Sequence, residues 1–210
     1  MDKIIGTLGI TLIIILPLIR FYQRNNWAKT QNLIGIIGLT ILWFLIATPL
    51  HELSHMIGAK ISGVKVIDYQ LLPKYWTGDY RTAYIKTDSE TKFQEFVVRT
   101  SPYFRDLIIA IAGYLILINK RITNSFIVGL IFVFFLLNSV FDIVVNFLGY
   151  SIDKDGDLNG LSKLIGHFWT YFIGISIIGL TLILTYRIFK AYKGFPKKVI
   201  KTTHNNVYSK

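Results

Sequence analysis

Hydrophobic positions in this chain come in long unbroken runs, not at the alternating or helical spacing of a half-buried element. Uncharged stretches cover Ile4 to Ile19, Leu33 to Leu50, Leu107 to Asn119, Ile122 to Phe141 and Leu164 to Tyr186. The first is extended by Phe21 and Tyr22, and the fourth meets Asp142 and then continues apolar to Ile152. A helix needs about 20 such residues to cross a bilayer core. The third run is short and borrows Pro102 to Phe104 as its entry. No small-residue cleavage site follows the first run, so it is expected to be a retained span. The pattern predicts an all-α membrane protein with about five transmembrane helices, forming a single polytopic domain over residues 1–210.

The sizeable polar region, residues 61–104, lies between the second and third spans. Within it Val64 to Leu72 and Thr82 to Thr87 alternate well enough to predict short strands, joined through Pro73 to Asp79. Phe93 to Thr100 reads as a third strand or a short helix. A basic tail, residues 193–210, reads as a solvated, lipid-facing end.

Composition agrees with the pattern. The chain is 52% hydrophobic and 17% charged, which excludes a disordered chain and an ordinary water-soluble globule. It has no cysteine, so disulfides, iron–sulfur clusters, thiolate zinc knuckles and cysteine nucleophiles are excluded. The net charge of +11 reads as membrane orientation and lipid contact, with no nucleic acid as partner. One side of the predicted membrane holds twelve basic residues and no acidic one: Arg20, Arg24, Lys29, Lys120, Arg121 and the tail from Arg187 to Lys210. The positive-inside rule puts that side, and the C-terminus, in the cytoplasm. The eight basic residues between Lys60 and Arg105 argue for the reverse orientation.

The candidate chemistry closes the second run, as His51-Glu-Leu-Ser-His55. Two histidines four apart share one helix face, about 6 Å apart along the axis, and can hold one zinc ion. Glu52 lies beside them, placed to take a proton from a water activated by the metal. A catalytic zinc needs a third protein ligand. Without cysteine it must be Asp, Glu or His. Asp142 is one candidate. It sits in an apolar stretch, where an acid is functional by default, and shares a helix face with Asn138 and Asn146. Its other role would be to orient a ligand histidine through the outer ring nitrogen. Counting along the second and fourth spans from the basic side puts His51 and Asp142 at the same depth, about 30 Å across.

The stretch Thr48-Pro-Leu-His-Glu-Leu-Ser-His-Met-Ile-Gly-Ala-Lys-Ile-Ser-Gly-Val-Lys-Val resembles the active-site helix of the site-2 protease family of intramembrane zinc metalloproteases. The resemblance covers about Ile46 to Gly166 and implies zinc-dependent hydrolysis of peptide bonds in a membrane-associated substrate. It implies zinc ligation by His51 and His55, with Glu52 as the general base. It also implies a third ligand from an Asp-Gly pair in a later span, here Asp155-Gly156, with Asn146 upstream. Asp157 competes with Asp155, because it would cap the helix Leu158 to Ile165. Strands near Val64 to Leu72 would pair with an unwound substrate.

Other readings stand beside this one. A different membrane zincin would take Glu90 or Glu95 as third ligand. A non-proteolytic membrane protein would use the metal structurally or bind a partner; a fourth ligand such as His167 would favour it, since structural zinc sites are closed. Asp155 to Gly160 also matches the first half of a calcium-binding EF-hand loop, although Gly166 stands where the bidentate Glu belongs.

Overall fold

The computed structural model describes residues 14–21, 30–75, 82–88, 91–119, 122, 124–153 and 156–191. The chain is mostly helical, with one small sheet. Helix α1 is Thr30–Ile61, followed by strands β1 (Lys65–Gln70) and β2 (Tyr84–Asp88). Helix α2 is Lys92–Ile118. Helices α3 (Ser125–Ile131) and α4 (Asn138–Asp153) are continuous through a π-helical segment, Phe132–Leu137. Helix α5 is Asp157–Ile165 and α6 is His167–Ala191.

Four helical segments among the described residues are long and apolar enough to cross a membrane: Ile34–Ile61, Lys92–Ile118, Phe126–Ile152 and His167–Ala191. They are the second to fifth of the expected spans. Most of the predicted first span lies outside the described residues; residues 14–21 are helical, and Ile14, Leu18 and Phe21 are buried in the bundle. The basic tail, residues 193–210, also lies outside them. Large side chains such as Ile34, Ile61, Phe168 and Phe172 are more than half exposed. An apolar surface of this kind calls for lipid.

Two boundaries differ from the sequence reading, each for a local reason. Phe93 to Thr100 is neither a strand nor a separate helix; it is the start of α2. Thr91 caps that helix: its hydroxyl accepts from the Gln94 N–H, and the Gln94 side chain accepts from the Thr91 N–H in return. The last span starts at His167 and not at Leu164, because Gly166, at φ +86°, breaks α5 from α6.

β1 and β2 pair antiparallel, with a bulge between Val66 and Asp68. Gly63, at φ +72°, ends α1 and turns the chain into β1, with the Val64 N–H donating to the Ala59 carbonyl. Ala59, Val64 and Val98 then form a small core under the hairpin. A larger core joins α1, α2, α6 and the π segment, with Phe21 stacked on Phe132.

Candidate metal centre

The last three turns of α1 carry His51 and His55, which face α2 and α5. Their Nε2 atoms lie 3.2 Å apart. Asp157 Oδ2 lies 3.2 Å from His51 Nε2 and 3.0 Å from His55 Nε2. These three side chains form the group among the described residues that can hold a metal ion. Asp157 reaches them from the first turn of α5. It is not the helix cap expected of it; Gly156, at φ +77°, holds that position. Asp155 and Glu90 lie outside the described residues. With Asp157 and Asn159 inside a helix, the stretch does not wrap as an EF-hand loop.

Each outer nitrogen is engaged. His55 Nδ1 lies 2.8 Å from the Val98 carbonyl oxygen. A carbonyl only accepts, so Nδ1 carries the proton and Nε2 presents a lone pair. His51 Nδ1 lies 2.8 Å from Asp142 Oδ2, a bond that in the neutral ring puts the proton on Nδ1 and the lone pair on Nε2. With both rings neutral, two lone pairs and a carboxylate oxygen meet within 3.2 Å. Three acceptors at this distance repel unless a cation or an added proton lies between them. Tetrahedral zinc at ordinary bond lengths separates its ligand atoms by about 3.3 Å. The donor set and its spacing thus fit a metal ion.

Asp142 does not join that set: it holds the outer nitrogen of His51. Its own position is fixed from two further sides. Arg105 Nη2 donates to Oδ2 at 2.8 Å and Asn146 Nδ2 to Oδ1 at 3.0 Å. Arg105 also bonds the fully buried Asp106 and, through Nη1, the Ser54 hydroxyl. On the same face of α4, Asn138 accepts from the Trp43 indole.

The Val98 carbonyl is free to serve His55 because residue 102 is proline. In an α-helix the N–H four residues on would take it, and proline has none. Ser101 Oγ donates to the same oxygen at 2.7 Å. The helices approach closely enough because residue 58 is glycine; a Cβ there would meet Ser101 Oγ at 2.6 Å. Neither Val98 nor Gly58 draws notice in a search for metal ligands, although Pro102 marks the carbonyl.

A cavity of about 450 Å³ opens over the site. Its walls include Glu52, His55, Asp157 and Arg99, with Tyr84, Ile85 and Thr87 of β2 opposite. The strand at the cavity is thus β2, not the β1 stretch that the sequence suggested. Glu95 lines the same cavity but pairs with Arg99 Nε at 2.9 Å and does not join the ligands. His167 lies against Tyr150, its Nδ1 2.5 Å from the phenol oxygen, and takes no part in the cluster.

No known protein family, characterised protein or solved structure matches this chain.

Proposed function

We propose that this chain is a multi-pass, membrane-embedded zinc metalloprotease of the site-2 protease type, acting on a peptide segment of a membrane-associated substrate. The observation that supports it best is the meeting of two imidazole nitrogens and a carboxylate oxygen within 3.2 Å, beside a cavity that Glu52 lines. His51, His55 and Asp157 would hold the zinc. Bound there, zinc supplies Lewis acidity that polarises a carbonyl and lowers the pKa of water. Glu52 takes the proton from the attacking water and returns it to the leaving nitrogen as the C–N bond breaks. Asp142 and the Val98 carbonyl keep the two imidazoles in the ligating tautomer. The edge of β2 that β1 leaves unpaired is suited to hold an extended substrate by strand addition. The C-terminus is assigned to the cytoplasm on the charge asymmetry of the loops.

The rival reading is a closed structural metal site. Among the described residues no fourth His, Asp or Glu joins the cluster, which favours the open, catalytic form.

The test uses full-length protein purified under conditions that retain bound metal. About one zinc per chain is expected, lost in His55→Ala. Glu52→Gln keeps the zinc but lowers hydrolysis by about 100-fold or more. Protein without zinc at the histidines overturns the metalloenzyme reading. A Glu52→Gln protein that cleaves as well as the parent overturns Glu52 as base.

A further inference from the structure

Arg99 stands on α2, one residue beyond the carbonyl that anchors His55, and its guanidinium forms part of the cavity wall beside Glu52 and Asp157. Two contacts fix it. Its Nε donates to Glu95 Oε1 at 2.9 Å. Its flat face lies over Gly160, where any Cβ would collide with the guanidinium carbon. Nη1 is 3.9 Å from Asp157 Oδ1, too far for a hydrogen bond, and neither Nη group donates one to any described residue. Asp157 Oδ2 in turn touches both ligating imidazoles. Arg105, the other arginine of this helix near the site, has its donors committed to Ser54, Asp106 and Asp142. The cavity thus contains one oriented guanidinium fork with four unspent N–H groups, next to the ligand cluster.

We propose that Arg99 is the catalytic hydrogen-bond donor that receives the carbonyl oxygen of the scissile peptide as it becomes an oxyanion. The assignment rests on the protease reading above. The water oxygen bonds to the carbonyl carbon, the C=O π pair moves onto the carbonyl oxygen, and the water's proton passes to Glu52. The negative charge then sits on an oxygen that Arg99 can reach. When the oxygen's pair re-forms C=O, the C–N bond breaks and nitrogen takes the proton from Glu52. A preorganised cation aimed at this charge acts on the transition state and not on the bound substrate. Lysine cannot replace it fully, because it lacks the planar fork that Glu95 and Gly160 hold in place.

The experiment compares the parent, Arg99→Gln, Arg99→Lys and Glu52→Gln as full-length proteins. Three quantities are read: zinc affinity, kcat and KM on one peptide substrate, and affinity for a phosphinic peptide of the same sequence. The phosphinic group places a tetrahedral anion where the oxyanion forms. Arg99→Gln is expected to lower kcat by about 100- to 1,000-fold. KM and zinc affinity should stay near the parent's, and phosphinic-peptide affinity should fall with kcat. Arg99→Lys should recover part of both losses. Should Arg99→Gln not fold, Arg99→Lys alone carries the test, with kcat reduced by about tenfold or more at full zinc. A zinc affinity that falls as far as kcat makes Arg99 a support for Asp157 and overturns the proposal. So does an Arg99→Gln protein that matches the parent. A cleaving parent with an unaffected Arg99→Gln defeats the Arg99 assignment alone; a zinc-loaded parent that cleaves nothing defeats the protease reading and the assignment with it.

Discussion

Two prolines interrupt two of the helices that are long and apolar enough to cross a membrane, and the carbonyls they release are put to different uses. Pro102 leaves the Val98 oxygen without its helical N–H, and His55 Nδ1 takes it at 2.8 Å. Pro49 leaves the Leu45 oxygen in the same state, and the Tyr75 hydroxyl donates to it at 2.5 Å. Within a bilayer an unsatisfied carbonyl costs several kcal/mol, so each proline calls for a donor from elsewhere in the fold. At one place the donor is His55, a candidate metal ligand, whose Nδ1 proton is placed by the bond. At the other it is a residue that follows β1, which ties the hairpin to the ligand-bearing helix. Breaks in the helical ladder are here attachment points, and only one of the two bears directly on chemistry.

The largest effect expected from perturbing the histidine anchors lies on His51, whose anchor is a side chain and can be removed. Asp142→Asn keeps the shape but loses the charge that orients His51 and leaves Arg105 with one carboxylate fewer. Zinc affinity or activity should fall by about 10- to 100-fold, the usual range for a partner of a ligand histidine. Calorimetric titration of zinc into chelator-treated protein measures it. An unchanged affinity would show that Asp142 does not act through His51.

A smaller effect is expected at Pro102. Alanine there restores an N–H that competes with His55 for the Val98 oxygen. Zinc affinity should fall by about tenfold at most. The metal-free protein should lose no stability, because alanine is the better helix residue by about 3 kcal/mol. The two readouts should therefore move apart. If they fall together, Pro102 is needed for the shape of α2 and not for its open carbonyl.

The sequence revealed the histidines and Glu52 because their relation is local: four residues along one helix fix their geometry before any tertiary contact forms. Asp142 was visible for a different reason, as an acid in an apolar run. The choice between Asp155 and Asp157 was not visible, since it depends on where α5 begins and which way its first turn faces. The start of α2 could have been read from Thr91 and Gln94, whose spacing is that of a capping box. Val98 could not have been picked out by residue type, since every residue has a carbonyl; only the proline four positions later distinguishes it. Tyr75 was hidden for the same reason, its acceptor being a carbonyl that Pro49 had released. The apolar runs located the spans, but a run ends where charge begins. α2 therefore continues well outside its run, through the charged residues Arg99, Arg105 and Asp106.

The smallest effect should come from the second proline site. Tyr75→Phe keeps the ring, which lies 5.5 Å from that of Phe44, and removes only the hydroxyl. The Leu45 oxygen then has neither a helical donor nor a phenol, and its desolvation costs about 1–3 kcal/mol. Thermal or denaturant unfolding in detergent should register that loss. Zinc affinity should not change, because no ligand or ligand anchor touches Tyr75. Pro49→Ala in the Tyr75→Phe background should restore stability, since the new N–H at residue 49 reaches the same carbonyl. Rescue of this kind is specific to the released-carbonyl account: if Tyr75 mattered only for packing, adding an N–H at residue 49 would leave the Tyr75→Phe defect as it was.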